Sequence, residues 1–400
     1  MMNKIISKGI LLLFELLKIQ FRKKTQEKIL IVAEYAEYGG TRTYFISLLH
    51  FLKKEKGSVT VLINSQLADT EISNLIDLLG FQVIHSTFDF WCTDFSDIPS
   101  GLTKKALWIY QVNELLMWCR LIRKNKFKKI IFSVGYPEQY LYTFLLPVQI
   151  IYILHTEPVK KIDKYKNWIL QNKLNKKKQI LTVSKSSKIS IEKKWLKNKK
   201  NLYVNFIHNY YEPLQCTGYT ISNFKQNRIL TIGSVESYKN PFFFIKCAKQ
   251  VLDIVKDSSI IFTWAGDGSL LEECKELIKG NQQIEFIGYQ TNVEILYKSS
   301  SIYFQPSLQE SHGIAVVGAM CNKLPCIVSD FGGLKESVIN NKTGFVIDID
   351  NPEQAVKLII ELLKDSELSH QMGIEGYQFY RHKFTKEHWQ AEMQNFFNYV

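Results

Sequence analysis

Residues 310–320 read ESHGIAVVGAM: a carboxylate, a glycine turn, then small and branched apolar residues at helical spacing. Glu310 falls in a loop after Pro306, and Gly313 lets the backbone come close to a ligand. A helix starting there would direct its amide dipoles at whatever Glu310 faces. Upstream, TIGSVESYKNP sets Gly233 at a strand end and Lys239 six residues later, just before a helix opening near Pro241. A lysine beside helix N-terminal amides can neutralise a phosphate. Standing alone, a solvent-facing loop lysine is the simpler reading, since most loop lysines face solvent. WAGDGSLLEE (264–273) is a strand-to-helix turn containing Gly266, and FIGY (286–289) adds Gly288 at another loop edge. A lone GDG is unspecific, and a plain tight turn is its default reading. In the first half, Gly39 and Gly40 precede a helical stretch and His155 ends an apolar run. For a single histidine of this kind a satisfied structural role is the simpler account. Asp348 and Asp350 form the one D-x-D string. They sit where a strand gives way to a helix, so no metal site is expected.

The elements that must hold these residues alternate along the whole chain. Short apolar runs such as KILIVAE, SVTVLIN, KIIFSVG, QIIYILH, QILTVS and LYVNFIHN give way to amphipathic stretches, the pattern of α/β layering. Gly80 to Leu107 carries no clear period. After YYEPLQCTGYTISNFKQN (210–227), rich in turn formers, a second series follows: RILTIGS, SIIFTWAGDG, IEFIGY, SIYFQPS, LPCIVSD and GFVIDI. Two doubly wound domains facing across a cleft are expected, with ligands at the strand-end loops. The expected boundaries are a basic amphipathic segment at 1–25, a first domain at 26–209 and a linker at 210–227. A second domain at 228–380 and a terminal helix at 381–400, with a return to the first domain as one path for it, complete them.

A length of 400 residues with 46% hydrophobic content favours two cores. The formal charge of +13 is concentrated: 160–200 contains fifteen lysines against Asp163 and Glu192. A solvated lysine-rich face is one reading. A docking face for anionic lipid headgroups is the other. No nucleic-acid motif accompanies the run. Seven scattered cysteines lack zinc-ligand spacing and read as reduced thiols of a cytoplasmic protein. The opening MMNKIISKGILLLFELLKIQFRKK is too interrupted for a signal peptide or a membrane span. Its stripe of Ile5, Ile6, Leu12, Leu13, Leu16 and Leu17 suits either a helix lying in a membrane interface or one packed on its own domain.

Taken in order, GSVESYKN, GDG, FIGY and PSLQESHGIAVVGAMCNKLPCIVSDFGGLKE resemble the donor motifs of glycosyltransferase family 4, retaining enzymes of the GT-B fold. The resemblance covers 229–348 well and the first half loosely, through YGGTRTY, ILHTE, TVSKSS and FIHNYYEP. It implies that Lys239 meets the diphosphate of a nucleotide-sugar donor and Glu310 the sugar hydroxyls. It assigns donor contacts to Gly233, Ser234, Gly266, Gly288 and the backbone of Ser311, His312, Gly313 and Ile314. Gly39 and Gly40 would lie near the donor phosphate and acceptor, and His155 beside the transferred sugar. No cofactor beyond the donor substrate is implied.

Two positions depart from the family pattern. Ser234 stands where an arginine is usual, and Gly318 replaces the second acid of an E-x7-E pair that holds the nucleotide ribose. Eight residues are about 2.2 helical turns, so an acid at 318 would reach along the same side as Glu310. If the site is merely trimmed, Gly318→Glu is expected to raise activity.

The expected activity is hexosyl transfer to a saccharide or lipid-linked acceptor in bacterial surface polysaccharide synthesis, such as lipopolysaccharide or capsule, at the cytoplasmic membrane face. The alternative is a non-catalytic partner of an active transferase. A nicotinamide dehydrogenase is disfavoured, since EYAEYGGTRTY lacks GxGxxG and VLINSQ ends without an acid.

Overall fold

A computed structural model describes residues 28–33, 40–54, 58–64, 70–86, 104–134, 140–158, 162, 164–213 and 227–399. The amphipathic segment at 1–25, Gly39 and most of 210–227 lie outside the described residues. The chain divides into two compact units. One comprises residues up to 182 together with 188–206, and the other comprises 183–187 together with 207–399.

The first unit is built on β1 (Lys28–Ala33), α1 (Gly40–Lys53), β2 (Ser58–Asn64), α2 (Thr70–Leu78), β3 (Gln82–Ser86), α3 (Lys104–Asn125) and β4 (Lys129–Val134). A 3-10 turn (Leu141–Leu145) leads to β5 (Gln149–Leu154), α4 (Lys164–Lys173), β6 (Lys178–Thr182), α5 (Lys185–Lys194), whose first residues up to 187 belong to the second unit, and β7 (Val204–Phe206). The seven strands form one sheet in the order β3-β2-β1-β4-β5-β6-β7, every neighbouring pair parallel. Ile31 of β1 pairs with Val61 on one side and Ile131 on the other. Residues 29–32 are buried, as a continuous apolar run in the middle of a parallel sheet requires. The stretch from Gly80 to Leu107 supplies β3 and the opening of α3.

The second unit contains β8 (Asn227–Ile232), α6 (Pro241–Val255), β9 (Ile260–Ala265), α7 (Leu271–Leu277), β10 (Ile284–Phe286), α8 (Glu294–Lys298) and β11 (Ile302–Gln305). It continues through α9 (Ile314–Cys321), β12 (Cys326–Ser329), α10 (Leu334–Ser337), β13 (Gly344–Ile347), α11 (Pro352–Lys364), α12 (Ser366–Lys383) and α13 (Lys386–Tyr399). Its sheet is parallel throughout, in the order β10-β9-β8-β11-β12-β13.

Side-chain caps set the starts of the long C-terminal helices. Asn351 accepts the Gln354 amide ahead of Pro352, and Asp365 accepts the Leu368 amide. Phe384 and Trp389 are buried, and the Phe384 carbonyl accepts the Tyr211 amide. Among the described residues, Cys119, Cys247, Cys274 and Cys326 are buried free thiols, and Cys321 is a half-buried one.

The core of the second unit is organised around Phe244 of α6. Its ring lies within 5.2 to 6.1 Å of the rings of Phe262, Trp264, Phe286 and Phe304. These four come from β9, β10 and β11, so a single helical side chain ties three strands together. Phe244→Ala is expected to lower unfolding free energy by about 3–5 kcal/mol, because the strands cannot collapse into the space left. Urea denaturation of the variant and the parent checks it.

Candidate functional site

In the second sheet the strand order reverses between β8 and β11. The path runs from β8 to β10 on one side and from β11 to β13 on the other. Loops leaving the two central strands therefore diverge over their C-terminal ends, where open α/β sheets bind ligands. Lys239 comes from the first of these loops and Glu310 from the second. Their side chains meet as an ion pair, Nζ to Oε2, and are 13% and 17% exposed. The opposite charges thus sit at the rim of the fold, available to a ligand.

Buried hydrogen bonds hold both loops from beneath. The Tyr303 hydroxyl donates to Gln305 Oε1 at 2.6 Å, and Gln305 Nε2 donates to Ser307 Oγ at 2.8 Å. Ser329 Oγ donates to the Ser307 carbonyl, and Thr231 Oγ1 to the Phe304 carbonyl. All of these side chains are buried. On the β8 side, Trp264 Nε1 donates to the Gly233 carbonyl at 2.8 Å, and the Gly233 amide donates to Ala265 at 3.0 Å. The GDG turn presses directly on this loop. A Cβ on Gly266 would stand 1.9 Å from the Gly233 carbonyl oxygen, so only glycine permits the approach. Gly266 also donates its amide to the Gly288 carbonyl at 2.8 Å, which joins the three glycine loops.

The structure brings Gly233, Ser234, Lys239, Gly266, Gly288 and Glu310 into this neighbourhood. Ser234 Oγ lies 2.9 Å from the Tyr238 hydroxyl, so it is engaged within its own loop. Gly313 and Ile314 stand at the start of α9 and Ser311 just before it. Asp348 and Asp350 make the turn into α11, the Asp350 amide donating to Asp348 Oδ1 at 2.9 Å. Gly40 begins α1 in the first unit.

Gly318 requires a correction. Glu310 precedes α9 instead of belonging to it, so counting helical turns between 310 and 318 does not apply. Gly318 is buried, and a Cβ there would meet the Tyr297 hydroxyl at 2.8 Å and Tyr211 Cε2 at 2.9 Å. The Tyr297 hydroxyl donates to the Ala315 carbonyl at 2.8 Å, and the Tyr211 hydroxyl bonds Glu294 Oε1. Two anchored tyrosines thus occupy the room an acid would need.

His312 was expected to contribute its backbone, yet its side chain is distinctive. It is 1% exposed and packs in a three-ring cluster, tilted against His208 at 5.1 Å and edge-on to Phe384 at 5.4 Å, while His208 and Phe384 also meet at 5.7 Å. Neither ring nitrogen has a hydrogen-bond partner among the described residues, and burial, with His208 and Lys383 nearby, holds its pKa well below the ordinary value. Sequence reasoning missed the group beside it. His208 Nε2 lies 2.7 Å from Glu336 Oε2, and Glu336 also accepts the amides of Lys185 at 2.9 Å and Ser186 at 2.6 Å. Burial pushes the Glu336 carboxyl up, but these hydrogen bonds outweigh it and hold the pKa below the ordinary value. The E of DFGGLKE and the S of TVSKSS were its only sequence signals.

His155 lies in the first unit at the end of β5. Its Nε2 is 2.8 Å from Ser133 Oγ, and Tyr44 packs edge-on at 4.6 Å. The residue keeps some exposure, but protein surrounds its ring, and burial lowers the pKa to about 3. The imidazole is therefore neutral in ordinary buffers.

Residues 220–379 match the family model of glycosyl transferases group 1. The matched region, called the group 1 region below for that match alone, contains β8 to β13 and both loops of the Lys239–Glu310 pair. A UDP-Gal:alpha-D-GlcNAc-diphosphoundecaprenol alpha-1,3-galactosyltransferase of Escherichia coli is 26% identical over 144 residues, 34% of this chain and 37% of its own length. The alignments span between 37% and 40% of the first three curated relatives. Among solved structures, a glycosyltransferase from Rickettsia africae ESF-5 covers 94% of this chain with a TM-score of 0.73 and 16% identity, and 99% of its own length is matched. Anabaena Alr3699/HepE, solved in complex with UDP, covers 93% of this chain and all of its own with a TM-score of 0.70 and 13% identity. These likenesses show the fold: two Rossmann-like units of the GT-B kind, one carrying the group 1 region.

Gly318→Glu is expected to destabilise the group 1 region by about 3 kcal/mol or more, through overpacking and a buried charge. The urea midpoint reads it. For His155, the unfolded chain takes up a proton below the ordinary 6.5, while the folded protein resists until about 3. Stability should therefore fall as pH drops through that window. Replacing His155 with Asn should flatten the decline, measured as urea midpoints from pH 7 to pH 4.

Proposed function

We propose that the protein is a retaining glycosyltransferase. It moves a hexosyl unit from a nucleoside-diphosphate sugar to a saccharide or lipid-linked acceptor in bacterial surface polysaccharide synthesis. The observation that supports this most directly is the meeting of Lys239 and Glu310 over the point where the strand order reverses. In the free protein the two charges offset each other. A donor diphosphate offers Lys239 a stronger anionic partner, and Glu310 is then released to accept hydrogen bonds from sugar hydroxyls.

The reaction breaks the bond between the anomeric carbon and the phosphate oxygen, and negative charge grows on the departing diphosphate. A fixed ammonium at that oxygen stabilises the transition state more than the ground state. Lys239 serves this role without a metal ion. The start of α9 adds amide dipoles of the favourable sign. The relative from E. coli is named for a UDP-sugar donor and a diphosphoundecaprenol acceptor, and Anabaena HepE was solved with UDP, which makes uracil the first base to test. The lysine run at 160–200 and the basic first 25 residues support work at the inner face of the cell membrane. No helix among the described residues is long and apolar enough to cross it.

The test is a thermal-shift panel of nucleotide sugars, followed by transfer assays with the donor that binds. A donor at a hundredfold excess over its Kd should add about 2.7 kcal/mol of stability. Lys239→Ala should lose most of that shift and about 10²–10³ of the transfer rate. A variant that transfers sugar as fast as the parent would remove Lys239 from the mechanism, and a β-configured product from an α-linked donor would remove retention.

A further inference from the structure

We propose that the outer face of α4 and α5, with the loop that follows α5, docks on an anionic lipid bilayer. The inference deepens the reading of a lipid-linked acceptor and rests on it for its purpose. Its geometry stands apart from the donor site.

The strands β5, β6 and β7 are sequential parallel neighbours, linked through α4 and then α5. Both crossovers take the right-handed sense, so the two helices lie on the same side of the sheet. Asn167 of α4 donates to the Trp195 carbonyl just beyond α5, which joins them. In α4 the exposed residues are Lys164, Trp168, Gln171 and Asn172, a single stripe at helical spacing. In α5 Ile189 and Lys193 are exposed, while Ser187 and Ile191 are buried beneath. The loop to β7 then exposes Lys197, Lys199, Lys200 and Leu202.

Lysines dominate the charge of this face; Glu157, half-buried, accepts the Ser190 hydroxyl of α5. Glu192 is the one acid in residues 164–202, and it is turned toward the chain, accepting the Asn201 amide at 3.2 Å. Between the lysines stand three large apolar side chains: Trp168 is 51% exposed, Ile189 38% and Leu202 81%. Lysines around an exposed tryptophan suit a membrane interface, where ammonium groups meet headgroup phosphates and the indole settles at headgroup depth. A nucleic-acid surface would favour planar, bidentate arginine, and 160–200 contains none.

Sedimentation of the full chain with phosphatidylglycerol vesicles and with phosphatidylcholine vesicles tests the proposal, without donor or acceptor. Binding should require the anionic lipid and weaken with salt. Combined Lys197→Gln, Lys199→Gln and Lys200→Gln should weaken it about a hundredfold. Trp168→Phe should abolish most of the blue shift in tryptophan emission on vesicle binding. The first 25 residues are also basic and apolar in sequence, so the Trp168, Lys197, Lys199 and Lys200 variants decide the matter. If those variants bind vesicles as well as the parent, docking lies elsewhere and the proposal falls. Equal binding to phosphatidylcholine, or binding to DNA with none to vesicles, also overturns it. Circular dichroism and the nucleotide-sugar thermal shift of each variant should match the parent, so a folding fault is separated from a docking fault. Vesicle binding without sugar transfer leaves the docking face standing and counts against the catalytic reading.

Discussion

A lysine and a glutamate held in contact at the rim of a parallel sheet form the constraint to which the rest of the second unit answers. Neither loop could hold its charge in place alone. The two strands beneath are neighbours in space but separated by three crossovers in sequence, so the meeting depends on the whole sheet forming in register. The buried relay from Tyr303 through Gln305 to Ser307 converts that register into loop position. An apolar residue at 305 would leave buried polar partners unsatisfied, a cost of the order of 1–3 kcal/mol each. The pressing of the GDG turn against Gly233 closes the other side, so the first loop is fixed by backbone contact more than by side chains.

Beside this site the fold tolerates a local inconsistency. His312 buries two polar nitrogens without partners, against the general rule that buried polar groups are satisfied. Its ring packs against both His208 and Phe384, so shape is met while hydrogen bonding among the described residues is not. The adjoining His208–Glu336 contact does the opposite, concentrating three donors on one carboxylate. Natural chains keep such imbalances mostly near functional loops, and this one lies within two residues of Glu310.

Much of this was legible beforehand. Alternating apolar runs announced both sheets, because strands buried on two faces have little freedom in composition. Lys239 and Glu310 could be named because the ordered motifs around them resemble those of a known family; without that resemblance the lysine reads as an ordinary loop residue. The tyrosine packing around Gly318 could not be read. It is made by Tyr211 and Tyr297, which carry no periodic signal, and the count of helical turns from 310 to 318 ran across the loop that precedes α9. Glu336 escaped for a similar reason: its partners, Lys185, Ser186 and His208, lie about 130 to 150 positions away, and hydrogen bonds to backbone amides leave no mark on residue type.

Glu336 also bears on how the group 1 region could be prepared by itself. A fragment cut to begin at β8 would strand a carboxylate built to receive the first amides of α5 and a histidine ring, and would strip Phe384 of its backbone partner at Tyr211. Soluble expression of that half therefore calls for grafting back the short segments 183–187 and 207–213, or for exchanging the orphaned acid for glutamine in the clone.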